Sequence, residues 1–312
     1  MWFLQPCFKV CGSRESKLFS ILEELELRGV NALEELLNLG RFPGLRVVVR
    51  MTGIKSLKHI DFEASSATEN ALLPMLEELE LRDMNALEEL PNLGGFPCLR
   101  VVQELELRDM HALEEFSTAE HFPHLRVLRM EGMRLLKHIG LASVDAIEND
   151  LFPMLEELEL MDLPVLEELP DLGSLPCLKS LRMRMMSMLK HIDFAFSGAT
   201  EKVLLPRVET LVLRDLEALE ELPSNLGRLP CLKLLNIANI SAVKQIGHGF
   251  FSTEAISKCF LSLENLVISD MPACEGWCWI DDSDLFPSLQ RLVIYGCPKL
   301  EWLPPLPPSL TY

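Results

Sequence analysis

The sequence predicts an α/β solenoid of about eleven coils, with a parallel β-sheet on the concave side and mostly 3₁₀ or irregular turns on the convex side. Three observations carry this. Leucine occurs 62 times in 312 residues, a bias that asks for a repeated architecture. The segment ILEELELRGVNALEELLNLGRFPGLRVV from Ile21 returns as MLEELELRDMNALEELPNLGGFPCLRVV from Met75 and as MLEELELMDLPVLEELPDLGSLPCLKSL from Met154. Within each copy the apolar residues are spaced first by two and then by three, and a period of 20–50 residues between copies is the mark of stacked coils.

One coil justifies each element in turn. Its apolar positions are Leu155, Leu158, Leu160, Leu163, Leu166, Leu169, Leu172, Leu175 and Leu178. The two-residue step from Leu158 to Leu160 is a strand, where alternate side chains share a face. Every later step is three residues, which suits 3₁₀ or polyproline-II turns and not the 3.6 of an α-helix. Pro170 and Pro176 also discourage a helix there. A single coil buries too little to offset the entropy of ordering it, so neighbours must stack and pair their strands.

L-x-x-L-x-L-like starts fall at 22, 45, 76, 102, 125, 155, 178, 208, 232, 263 and 289. Short and long coils alternate, except at two spacings of 26. The first has a visible cause: LRVV at 99–102 runs directly into QELELRD, as if a stretch between repeats had been deleted. A residue inserted near Val48–Val49 makes that rung irregular. The longer coils add loops rich in Ser, Ala, Thr and Asn at 61–73, 140–151 and 193–204, with a variant after Ile246; these read as surface loops on one edge. Residues 1–17 read as a lead-in, a partial coil or disordered, and 18–312 as one repeat domain whose proline-rich end, LEWLPPLPPSLTY, caps the last coil.

Composition narrows the function classes. The formal net charge is −18, which argues against nucleic acid as a partner and against anionic membrane surfaces. No apolar stretch approaches the length of a membrane span. The N-terminus lacks a charged lead, and Gln5 and Pro6 cut its apolar run, so it is a poor secretory signal. Nine cysteines without framework spacing, three of them (Cys98, Cys177 and Cys231) at one permissive repeat position, point to the reducing cytosol.

Chemical sites do not emerge. His59, His138 and His191 recur in one L-K-H-I setting, which duplication explains better than catalysis. Cys7 with Cys11 and Cys274 with Cys278 lack a second pair to complete a zinc site. Carboxylate pairs such as Glu167–Glu168 occur in most coils, too many for a dedicated acid–base pair. No catalytic signature is present, so the expectation is a binding protein, not an enzyme, with no cofactor and no metal.

A partner would meet the positions between the strand leucines. The middle column reads Glu26, Glu80, Glu106, Arg129, Glu159, Arg182, Val212, Asn236, Val267 and Val293, passing from charged to mostly apolar. If the junction at 102 is real, Glu80 stacks on Glu106, Glu78 on Glu104 and Arg82 on Arg108, and a basic partner would relieve the carboxylates. Arg129, Glu159 and Arg182 form an alternating ladder, with Arg184 beside it. These charges are either a solvated face that keeps the chain soluble or a contact surface. Trp277 aligns with Leu169 and Leu222 and reads as core. Tyr295 and Trp302 read as exposed, making a contact patch near Val267 and Val293.

The pattern LEELxLxDMxxLEELPxLGxLPxLKxLxI, followed by K-x-I-G and a loop, resembles the leucine-rich-repeat region of plant intracellular disease-resistance proteins of the coiled-coil, nucleotide-binding class. LPSNLGRLPCLKLLNIANISAVKQIGHGFF (222–251), LENLVISDMPACEGWCW (263–279) and FPSLQRLVIYGCPKLEWLPPLPPSL (286–310) carry the likeness. It implies a leucine-rich-repeat horseshoe and a cytoplasmic role in defence. The partners it implies are a pathogen effector or host target and the nucleotide-binding domain that such repeats hold inactive. No G-x-x-x-x-G-K-[ST] phosphate loop occurs, so this chain is not expected to bind nucleotide. A repeat-only adaptor or decoy acting in trans on a full-length receptor, or a non-functional gene fragment, fits the same pattern.

Overall fold

The computed structural model describes residues 24–36, 48–60, 78–87, 103–117, 122, 124–140, 152–170, 172, 175–192, 205–251, 259–278 and 285–303. The lead-in at 1–17, the loops at 61–73, 141–151 and 193–204 and the proline-rich end beyond Leu303 lie outside them.

Eleven five-residue strands form one parallel sheet: β1 (Glu24–Arg28), β3 (Val48–Thr52), β5 (Glu78–Arg82), β6 (Glu104–Arg108), β8 (Val127–Glu131), β10 (Glu157–Met161), β11 (Ser180–Arg184), β12 (Thr210–Arg214), β13 (Leu234–Ala238), β15 (Asn265–Ser269) and β17 (Arg291–Tyr295). Each hydrogen-bonds to the strand of the next coil. Six short strands pair two by two on second ladders: β2 (Glu35–Leu36) with β4 (His59–Ile60), β7 (Glu115–Ser117) with β9 (His138–Gly140), and β14 (Gln245–Ile246) with β16 (Gly276–Trp277). The result is a leucine-rich-repeat solenoid. The sheet carries eleven strands, while about seven turns of the solenoid lie within the described residues.

The strand step of two works as expected. Leu158 and Leu160 point inward at 1% and 0% exposure, while Glu157, Glu159 and Met161 of the same strand stay half-buried on the other face. The steps of three also hold. Leu166 N–H donates to the Leu163 carbonyl at 3.3 Å, Leu175 to Leu172 at 3.1 Å and Leu178 to Leu175 at 3.3 Å. Each bond spans three residues, so Leu166, Leu175 and Leu178 each close a tight turn begun by the preceding leucine of the pattern. Helix is nearly absent: among the described residues it is limited to α1 (His248–Phe251), a 3₁₀ turn at Leu226–Arg228 and Leu172.

Two expectations need correction. The rung at β3 is regular: Val48 to Thr52 pair residue for residue with Glu24 to Arg28 and with Glu78 to Arg82. Parallel hydrogen bonding holds the strand in frame, so any extra residue lies before it. The variant loop after Ile246 is not wholly a surface loop either. Its helix α1 buries Phe250 and Phe251 at 2% exposure each, among Phe260, Trp277 and Phe286.

A column not singled out in the sequence follows the strands. The residue after every strand of the sheet has positive φ: Gly29, Gly53, Asp83, Asp109, Gly132, Asp162, Met185, Asp215, Asn239, Asp270 and Gly296. That left-handed turn bends each coil out of the sheet. Ten of the eleven positions carry Gly, Asp or Asn, the residues that tolerate it best.

Candidate functional site: the outward face of the sheet

The parallel register builds the face. Because every strand presents five residues in the same frame, positions one, three and five form three columns that run the length of the sheet. At the junction near 102, Glu78 registers with Glu104, Glu80 with Glu106 and Arg82 with Arg108. The stacking anticipated there is therefore real.

Its electrostatics differ from the simple expectation of naked like pairs. Glu80 takes Arg50 at 3.3 Å and Arg82 at 3.2 Å. Glu106 takes Arg82 at 3.7 Å and also pairs with Arg108, which reaches Glu131 at 3.1 Å. The carboxylates are already neutralised within the chain, so a basic partner has little to relieve. Arg129 lies among Glu104 at 3.6 Å, Glu157 at 3.6 Å and Glu159 at 3.7 Å. Partly exposed pairs of this kind contribute roughly 0–1 kcal/mol each. Arg50 completes the middle column; it was missed because its rung looked irregular in sequence.

The alternating ladder stops at Glu159. Arg182 registers with Glu159 across β10 and β11, yet Glu159 pairs with Arg129 and Arg182 takes no ion pair among the described residues. Arg184 registers directly with Arg214. Both guanidinium groups bury Nε without a hydrogen-bond partner. Arg82 and Arg108 also bury Nε, but the terminal nitrogens of Arg82 reach Glu80 and Glu106, and Arg108 pairs with Glu106 through Nη2 and with Glu131 through Nε. Arg214 was not anticipated, although its frame position, the fifth of its strand, is that of Arg184.

Beyond β12 the outward positions carry a single charge, Arg291 at the start of β17. Asn236 registers with Val267 and Val267 with Val293, while Tyr295 closes the last strand at 53% exposure. Trp302, 47% exposed, sits elsewhere: it bridges Gly276 on the second ladder, off the sheet that carries Val267 and Val293. A Cβ at Gly276 would strike the Trp302 indole, so the glycine is what lets the ring lie there. Trp277 is core, at 2% exposure.

A second charge ladder runs along the edge leading into the strands. Glu156 binds Arg126 at 2.6 Å and Lys179 at 2.9 Å, and Glu209 binds Lys233 at 2.8 Å. Hydrogen bonds from Lys179 and then Arg126 hold the Glu156 carboxyl below its ordinary range. The hydrogen bond from Lys233 does the same to Glu209, and Glu209 in turn raises Lys233. All five residues occupy the second place of L-x-x-L-x-L, so the alternation of sign could have been read from the sequence.

The recurrent histidines of L-K-H-I lie outward on the arcs: His59 and His138 are exposed on the second ladders beside buried Ile60 and Ile139. Among the described residues, Cys177, Cys231, Cys259, Cys274, Cys278 and Cys297 are free thiols. No group of three or more His, Cys, Asp or Glu among them could hold a metal ion. No described helix is long and apolar enough to cross a membrane. What the face offers is non-covalent: guanidinium and carboxylate arrays at one end, aliphatic and aromatic surface at the other.

A leucine-rich-repeat solenoid with such a face defines a class of repeat protein. No protein-family model matches the chain. Over 112 residues, 33% of the chain, it is 38% identical to disease resistance RPP13-like protein 1 of Arabidopsis thaliana. Over 77 residues, 24% of the chain, it is 38% identical to disease resistance protein At3g14460 of the same plant. The chain spans only 10% and 5% of the length of these relatives. Solenoid and matches together fit the leucine-rich-repeat region of a plant disease-resistance protein.

Proposed function

We propose that the chain is a protein-recognition module of plant innate immunity. Its sheet face meets a pathogen effector or a host target and restrains a nucleotide-binding switch domain of the coiled-coil class, in the cytoplasm. The supporting observation is the face itself: eleven rungs in one register display side chains that the core does not use, on a chain similar to disease-resistance proteins. The module acts by binding, not by turnover. The candidate contacts are Glu80, Glu106, Arg129, Glu159, Arg182, Arg184, Val267, Val293 and Tyr295, with Trp302 on the neighbouring arc.

The test is co-precipitation. The chain and the nucleotide-binding domain of a resistance protein are co-expressed in leaf tissue, with Arg129, Arg182 and Arg184 each intact or replaced by Glu. Recovery of the domain should fall several-fold in the triple variant while its circular dichroism is retained. Undiminished recovery would make the patch merely solvent-facing.

A further inference from the structure

The face changes character at β11, and that change specifies a partner. Through β10 each arginine on the face whose ion pairs are described is spent on a glutamate of its own chain. At β11 and β12, Arg182, Arg184 and Arg214 point to the same side of two adjacent strands and hold no ion pair among the described residues. Their nearest registered carboxylate, Glu159, is bound to Arg129. The three strands that follow present no acid at their outward positions. In a chain of net charge −18, three unspent guanidinium groups side by side are a local reversal of sign. Like charges at this spacing repel, and an anionic group placed above them removes the repulsion and gains charge-assisted hydrogen bonds.

We propose that this zone binds a short extended protein segment whose carboxylates sit over Arg182, Arg184 and Arg214 and whose aliphatic or aromatic side chains run over Val267, Val293 and Tyr295. Charge complementarity selects the acidic end, and the outward surface of β15 and β17, apolar or neutral except for Arg291 at the start of β17, selects the apolar one. From β11 to β17 the sheet advances four strand spacings of ~4.8 Å, about 19 Å, which an extended segment of about six residues spans. The bidentate fork of arginine favours carboxylate pairs over isolated charges. This inference rests on the recognition reading above and adds the chemistry and position of the partner.

The test uses a displayed library of random twelve-residue peptides selected on the full chain. Enriched peptides should carry two or more Asp or Glu next to an aromatic or aliphatic residue. Their affinity should fall tenfold or more when Arg182, Arg184 and Arg214 are all replaced by Gln, and several-fold for Val267→Ser with Val293→Ser. It should also weaken as salt is raised. Peptides that bind the glutamine variant undiminished but lose binding to a Glu80→Gln, Glu106→Gln variant would overturn this inference while leaving the sheet a recognition face. Peptides indifferent to every sheet variant, or none enriched at all, would overturn both. A twenty-nucleotide single-stranded DNA that binds the same arginines more tightly than the selected peptides would replace the protein segment with a phosphate ligand. Matching thermal transitions of parent and glutamine variant serve as the folding control.

Discussion

Met185 occupies the left-handed column at φ 54, where ten other rungs carry Gly, Asp or Asn, and its side chain is 43% exposed. An ordinary side chain in that region costs roughly 1–2 kcal/mol, and little burial offsets it here. Met185→Gly should therefore stabilise the chain by about 0.5–1 kcal/mol in urea unfolding, the relief of strain outweighing the freedom gained by the unfolded chain. The same column argues the reverse at Gly132, whose φ is 70 and whose added Cβ would meet the Asp109 carboxylate. Gly132→Ala should destabilise by about 1–3 kcal/mol, measured the same way. A loss smaller than that of an exposed Ala substitution would mean that the turn relaxes freely. The Asp and Gly residues of this column are plain in L-x-L-x-[DG], but only the backbone angles give them a reason.

At the scale of the coil, spacing was sufficient information and register was not. The inward leucines are legible because steps of two and three depend on one coil alone. The neutralised glutamates are not, since Arg82 reaches Glu106 only after β5 and β6 are known to be neighbours. The edge ladder lies between these cases, and it carries a pH prediction. Glu156 and Glu209 of that ladder, and Glu114 of a separate pair with Lys137 at 2.8 Å past the strands, each hold a proton less readily in the folded chain, chiefly through hydrogen bonds from Lys179 and Arg126, from Lys233, and from Lys137. A folded carboxyl below its unfolded value stabilises fully above that ordinary value, near 4.5, and the gain fades as pH falls through the lowered one. Lys137 and Lys233 are raised instead, so their share is complete below 10.5 and fades as pH rises through the raised values. Between about pH 5 and pH 3 the parent should lose more melting temperature than a Glu114→Gln, Glu156→Gln, Glu209→Gln variant. The difference should shrink in high salt because these pairs are exposed.

The whole molecule behaves as a stack in which each coil touches only its neighbours, so damage should depend on direction. Leu158 is 1% exposed, and Leu158→Asp puts an unpaired charge between two rungs; a loss above about 4 kcal/mol is expected. Deleting 155–177 removes a whole coil and lets β8 meet β11 in the frame that each already uses with β10. That deletion should keep most of the thermal transition, as followed by circular dichroism. Equal collapse of both proteins would contradict nearest-neighbour stacking. The solenoid and its strands are thus legible at this scale from the repeat alone. The break in charge at β11 is visible in the middle column, yet its meaning waited on knowing which guanidinium groups the glutamates had already claimed.

The junction that joins β5 directly to β6 shows what such a frame permits. A segment is missing there by the measure of its neighbours, and still the two strands meet with all five residues in step. Recombination between copies can therefore add or drop a three-letter word from the exposed text while the hidden grammar of leucines goes on unchanged. A lineage under shifting selection could rewrite what this surface says by splicing, without first having to relearn how to fold.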